Sequence, residues 1–244
     1  LAELGVVNVE IVCPPRVGVI AAGSEIVDVG EELENDSQIR SSNNVLLASL
    51  AKHWGAEPIL FPVIKDDKKL IRDTIKEALI HCDIVVTTGG VSVGDFDYVR
   101  DIINEYGTEP IINGAAIKPG RHVRILKFGE KYLCSFPGFP YSAAVTFRLY
   151  AVPIILYFLG LDTAVKNSYA YLQQDYVRKT KFSEFASCFC YEEKGKILLD
   201  FNGKRVGSSA ILNNLLDNSP LLIISESVQN YKKGDLVPII KMVP

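Results

Sequence analysis

The sequence predicts an α/β protein: a three-layer domain with a mostly parallel sheet, followed by a small β-barrel-like domain. Three observations carry this. Short apolar runs alternate with amphipathic helical segments through the first two-thirds of the chain. Asp83–Thr88 (DIVVTT) is a largely apolar run that ends directly on Gly89-Gly90, as a strand buried on both faces does. After about residue 165 the pattern changes to polar–apolar alternation broken by Gly and Asn, as in Ser168–Tyr176, Ser187–Tyr191 and Lys196–Phe201.

In chain order, Arg16–Ala22 (RVGVIAA) reads as the first buried strand and stops at Gly23. Asn43–Trp54 places Val45, Leu46, Leu50 and Trp54 near one helical face, with Ser41, Ser42 or Asn43 as its cap and Gly55 as its stop. Pro58–Val63 is the next strand. Asp67–His81 is a helix with Leu70, Ile71, Thr74, Ile75, Ala78 and Leu79 on its apolar face. Asp83–Thr88 follows, then a polar loop and a short helix around Asp97–Tyr106. Pro110–Ile117 is a strand candidate. Arg124–Phe128 and Tyr132–Phe136 flank Gly129-Glu130 as a hairpin. Pro137-Gly138-Phe139-Pro140 turns into a long apolar helix ending at Gly160, and Val237–Met242 closes the chain. The β-α-β-α-β-α order implies parallel strands joined by crossover helices. The domain boundaries follow: a linker over 1–14, an α/β domain over 15–162 and a β domain over 163–244.

Composition narrows the function. The chain has 244 residues, 48% of them hydrophobic and 23% charged, which fits an ordinary globule rather than a disordered or fibrous protein. Its net charge of −3 offers no general attraction to nucleic acid or to an anionic membrane. The longest apolar run, Leu149–Leu161, contains Pro153 and Gly160 and falls short of the roughly 20 residues that a membrane span needs, so it is read as a buried helix. Five cysteines without disulfide spacing and three scattered histidines argue against a disulfide framework or a zinc site, and point to the cytoplasm. The absence of an initiator Met leads us to expect that the sequence begins inside a longer protein. Arg178–Phe185 (RKTKFSEF) interleaves basic and aromatic residues, but a solvated edge strand explains it better than nucleic-acid binding.

In an open parallel sheet, ligands bind outside the carboxyl ends of the strands. The unusual residues of this sequence fall there. The loop after Thr88 supplies Gly89, Gly90, Ser92 and Gly94, whose backbone can approach a phosphate, followed by Asp95 and Asp97 as carboxylates for a divalent cation. A plain strand-to-helix turn, with Asp95 as a cap, is the other reading. Gly23-Ser24-Glu25 brings a carboxylate to the same edge. Asp66 precedes Asp67, whose place at a helix start is explained by capping and the helix dipole. Lys118-Pro119-Gly120-Arg121 sets a cation on each side of a rigid turn, suited to an oxyanion or to solvent. Pro137, Gly138 and Ser142 lead from a strand into a helix N-terminus. Together these loops favour a phosphorylated ligand with a metal.

These segments resemble the molybdopterin-binding domain of the molybdopterin molybdenumtransferases (MoeA type, including the gephyrin E region). Thr88–Tyr98 (TGGVSVGDFDY) is similar to the family's TGGVSxGxxDY. Ala22–Glu25, Gln38–Asn43, Asp66-Asp67, Ile117–Arg121 and Pro137–Ser142 follow in the family's order, and Val206–Ser209 and Lys233–Asp235 resemble its C-terminal β domain. The departures are Ala22, Ser24, Ser41, His122 and Phe139, where the family has Thr, Asp, Asp, Pro and Asn.

The resemblance implies that molybdate is inserted into adenylylated molybdopterin, with release of AMP. Mg²⁺ would be held by Glu25, Asp66 and Asp97, which also serve as the catalytic carboxylates. Gly89, Gly90, Ser92, Gly94, Lys118, Arg121, Pro137, Gly138 and Ser142 would hold the pterin ligand and the oxyanion. It also implies a homodimer and two further domains ahead of Leu1. Two related readings are a Mog-type molybdopterin adenylyltransferase, against which Val91-Ser92 argues, and a competence-damage-inducible type of nucleotide hydrolase. A non-catalytic scaffold that keeps the ligand fold is the reading from another class.

Overall fold

In the computed structural model, the described residues are 1–89, 105, 108–165, 167–208 and 210–244. The expected loop residues Gly90, Ser92, Gly94, Asp95 and Asp97, and the short helix around them, lie outside these.

The first sheet contains β1 (Arg16–Ala21), β4 (Glu57–Leu60), β5 (Ile84–Thr88), β6 (Ile112–Asn113), β8 (Arg124–Phe128) and β9 (Lys131–Phe136). Its order is β4-β1-β5-β9-β8-β6. The four strands β4, β1, β5 and β9 run parallel, with Ala21 opposite Thr88 and Thr88 opposite Phe136. β8 and β9 form the expected hairpin. Two two-residue strands, β2 (Ile26–Val27) and β3 (Ile39–Arg40), pair beside it. Helices α1 (Ser42–His53) and α2 (Lys68–His81) separate the parallel strands. Because β1 connects outward to β4 and the chain then returns to β5, the strand order reverses between β1 and β5, where such sheets open a crevice.

Local sequence explains these elements. Every residue of β5 is buried, and Val17, Val19 and Ile20 of β1 are inaccessible, which is why their runs are apolar rather than alternating. In α2, Ile71, Ile75, Ala78 and Leu79 face the core. Asp67 starts this helix by accepting from Leu70 N–H at 2.7 Å. The long helix α3 (Pro140–Phe158) includes a π-helical segment, Phe147–Ala151. Pro153 lacks the N–H that an α-helical ladder would use, and the wider turn lies directly before it. By length and composition α3 is apolar enough to cross a membrane, yet Phe147, Ala151, Val152 and Ile155 are fully buried in the core against β1, β5 and β9 residues.

The second sheet contains β7 (Ile117–Lys118), β10 (Ser168–Leu172), β12 (Ser183–Ser187), β13 (Phe189–Glu193), β14 (Lys196–Asp200), β15 (Leu221–Ile224) and β17 (Leu236–Ile240), in the order β13-β14-β10-β17-β15-β12-β7. β11 (Tyr176–Val177) and β16 (Asn230–Tyr231) pair separately. Ala170, Leu172, Leu199, Leu222 and Val237 form its core. The larger cluster also takes in Leu221 and Met242, so the two sheets share apolar packing.

Several expectations are corrected here. The strand expected over Pro110–Ile117 is two short pieces. Gly114 turns with φ +84°, after which β6 stays with the first sheet while β7 joins the second, parallel to β12. Lys118 therefore sits at a junction between sheets, not at the end of a parallel-sheet strand. Arg178–Phe185 is not a solvated edge: β12 lies between β15 and β7, and Arg178 donates to the carbonyls of Val228, Thr180, Phe182 and Glu226. The run Ser187–Tyr191 breaks at Cys188, and Ser168–Tyr176 ends at Leu172.

Candidate functional site

The carboxyl ends of β1, β5 and β9 converge tightly. Ala22 N–H donates to Thr88 O at 3.0 Å, and Gly23 N–H to Ile64 O at 2.9 Å. Gly89, with φ +84°, is held so close to Ala22 that a Cβ there would fall well within 3.0 Å of the Ala22 carbonyl oxygen. A Cβ on Gly138 would stand 3.6 Å from the Gly89 Cα. Only glycine fits at position 89. The strand ends are further tied by Asn43, whose amide donates to Gly138 O at 2.7 Å.

Two predicted carboxylates reach this edge. Asp66 and Ser24 bond reciprocally: Ser24 N–H donates to Asp66 Oδ2 at 3.0 Å, and Asp66 N–H donates to Ser24 Oγ at 3.3 Å. Glu25 follows Ser24, its Oε2 beside Gly23. Ser41 Oγ, Asn43 Oδ1, Asn44 Oδ1 and Thr88 Oγ1 are buried without a hydrogen-bond partner among the described residues. Such buried oxygens are costly unless something completes them.

A cavity of about 300 Å³ opens beside this edge. Its lining includes Lys118 and Arg121 from the turn after β7, and Pro137 and Ser142 from the entry to α3. Phe139 and Ser208 also line it, as do Phe182 and Glu184, which sequence patterning did not single out as a site. Pro137 borders the cavity and Gly138 borders the strand ends, so a single loop joins the two regions. The Arg121 guanidinium lies 5.2 Å from the Phe182 ring centroid, a cation–π approach that orients it at the cavity wall. The N-terminus of α3 faces the same space, with Pro140 at its first turn. Cys134, in the middle of β9, is a core thiol, and burial pushes it up to about 12.

The structure thus brings Glu25, Asp66, Gly89 and Gly138 to one edge, and Lys118, Arg121, Pro137 and Ser142 to one cavity. Glu184 and Phe182 were not legible as site residues. They reach the cavity through the pairing of β12 with β7, a contact between residues more than sixty positions apart.

An open α/β sheet with glycine-rich strand ends at its switch point, flanked by a cationic cavity, defines a ligand-binding protein of the open-sheet class. Residues 18–157 match the family described as the probable molybdopterin binding domain, and the chain belongs to that family. Among curated proteins it is similar to the molybdopterin molybdenumtransferase of Bacillus subtilis (strain 168), at 30% identity over 98% of this chain and 55% of that protein. The molybdopterin molybdenumtransferase of Staphylococcus aureus (strain COL) is 36% identical over 76% of this chain and 44% of that protein. Among solved structures, the molybdopterin biosynthesis moeA protein from Pyrococcus horikosii superposes with a TM-score of 0.77 at 27% identity, covering 95% of this chain and 55% of that one. The chain spans about half the length of the curated relatives it matches.

Proposed function

We propose that this chain forms the ligand-binding and catalytic part of a molybdopterin molybdenumtransferase, which inserts molybdate into adenylylated molybdopterin and releases AMP. The observation that carries the reading is the cavity in which Lys118 and Arg121 meet the Pro137–Ser142 loop, next to the glycine edge of the parallel sheet. Two cations and a helix N-terminus suit an oxyanion and a phosphate. The strand-end backbone at Gly89 and Gly138 leaves room for a ligand's close approach.

Residues 15–162 hold the ligand in this reading, and residues 163–244 wall the cavity through β12. Glu25 and Asp66 are the catalytic carboxylates on the described edge, joined by Asp97 from the glycine loop. Carboxylates suit Mg²⁺ by donor chemistry: Glu25 and Asp66 offer hard oxygens, and the buried Thr88 and Ser41 hydroxyl oxygens have no partner among the described residues. Mg²⁺ held by these carboxylates would supply positive charge that offsets the repulsion between a phosphate and an incoming anion. Lys118 and Arg121 hold molybdate by charge, and Ser142 at the start of α3 offers hydrogen bonds. Five free cysteines suit a reducing cytoplasm. A homodimer belongs to the same reading.

The test is AMP release from adenylylated molybdopterin in the presence of molybdate and Mg²⁺, with Lys118→Gln as comparison. The wild type should release AMP with molybdate, and the variant should lose affinity most strongly at low salt, where screening is weakest. Binding of the pterin ligand without molybdate-dependent AMP release would favour a scaffold. Equal molybdate affinity at low ionic strength would remove Lys118 from the site.

A further inference from the structure

The cavity contains one group that an anion site does not call for. Glu184 is only 2% exposed and lines the cavity beside Lys118, its register partner across β7 and β12. Its carboxylate is held at both oxygens: Oε1 accepts from Tyr176 O–H at 3.1 Å, and Oε2 accepts from Lys179 N–H at 3.0 Å. A carboxylate has about four lone-pair sites. Among the described residues one acceptor position therefore remains on each oxygen, and the side chain cannot move without losing both bonds. Around it the walls are apolar and aromatic, with Phe139, Tyr141, Phe182 and Phe185. Burying a fixed carboxylate among aromatic rings is costly unless a ligand brings donors to it.

We propose that Glu184 is a specificity-determining residue that accepts two parallel hydrogen bonds from the donor edge of the substrate's pterin ring, and so seats the pterin rather than the adenine in this cavity. The inference rests on the function proposed above. A pterin carries a ring N–H next to an exocyclic amine, a pair of donors spaced for the two oxygens of one carboxylate. Adenine presents an amine next to a bare ring nitrogen, whose lone pair would face the second oxygen. Repulsion at that position discriminates as strongly as the bonds themselves. Lys118 and Arg121, on the turn beside Glu184, then meet the anionic part of the same ligand.

Calorimetric titration of the whole protein with 6-hydroxymethylpterin, GMP and AMP tests this. GMP and AMP share ribose and phosphate, but only guanine has the pterin-like donor edge. We expect the pterin and GMP to bind and AMP to bind far more weakly. Glu184→Gln, which puts a donor where an acceptor is needed, should weaken pterin and GMP by about 10- to 100-fold and leave AMP unchanged. Tyr176→Phe removes a buried partner of the carboxylate but keeps the carboxylate and its Lys179 bond, and should retain pterin affinity. Undiminished pterin binding by Glu184→Gln overturns the inference while the proposed function stands. So does parallel loss in Tyr176→Phe, which would mark Glu184 as structural. Failure of the wild type to bind either pterin or molybdopterin overturns both.

Discussion

Gly89→Ala should destabilise the protein more than replacement of any other turn glycine among the described residues. The residue has φ +84°, so a Cβ alone costs about 1–2 kcal/mol. The new methyl would also overlap the Ala22 carbonyl oxygen. That carbonyl cannot rotate freely, because Ala22 N–H is bonded to Thr88 O and the next residue, Gly23, to Ile64 O. Relief requires β1 and β5 to part at their ends, an overpacking cost of about 1–3 kcal/mol. Together the loss is about 2–5 kcal/mol. Gly129→Ala is the matched control: φ is +59°, but nothing lies within 4 Å of the added methyl, leaving only the conformational cost. Urea denaturation of both variants gives the difference directly, provided the slopes match the wild type. If Gly89→Ala is no more damaging than Gly129→Ala, the Ala22 carbonyl yields without cost and the strand ends are not the rigid edge described here.

Asp67→Ala should cost about 1 kcal/mol, through loss of the cap on Leu70 N–H, with ligand affinity intact; urea denaturation and titration check the two halves separately. Arg178→Lys should cost about 1–3 kcal/mol in the same denaturation assay. A lysine cannot serve the carbonyls of Val228, Thr180, Phe182 and Glu226 at once, and two of them border the residues that wall the cavity. Cys134 predicts a pH dependence. Its folded pKa of about 12 lies above the unfolded value of 9.0, so the native state binds more protons between them and stability falls as pH rises above 9. At pH 10 the loss from this thiol is about 1 kcal/mol, and Cys134→Ala should flatten the stability curve from pH 9 upward relative to wild type. An unchanged slope would show that the thiol ionises in the fold as readily as in the unfolded chain.

The parts of the fold readable from sequence are those governed by local rules. Ile84–Thr88 is a strand because five consecutive β-branched residues suit burial on both faces, and Gly89 ends it. Of the expected α2 face, Ile71, Ile75, Ala78 and Leu79 are buried but Leu70 is exposed, and Asp67 was readable from its place before a helix. The hairpin at Gly129-Glu130 was readable from its turn. What escaped depends on distant partners. Pro110–Ile117 looks like one strand because its apolar pattern is continuous, yet Gly114 divides it between two sheets. Glu184 looks like a polar position on a surface strand, since alternation cannot say whether the outward face of β12 is covered. Here β7 pairs beside it and Tyr176 caps the Glu184 carboxylate, while the Tyr141 hydroxyl donates to Phe185 O at 2.9 Å. Phe182 was obscured in the same way by its basic neighbours.

The same junction explains why cations and a carboxylate coexist in one small cavity. β7 is only two residues long, and its register fixes Lys118 opposite Glu184. In a parallel pair such partners share a face, so the cation and the carboxylate are placed by one ladder rather than by two independent loops. Glu184 is restrained by Tyr176 of β11 and by the Lys179 backbone, while Gly120, φ +105°, turns the chain so that Arg121 rests over Phe182. A ligand with separated ends, one offering donors and one carrying negative charge, therefore meets complementary groups whose spacing is set by backbone pairing. Loosening that pairing would shift both ends of the site together.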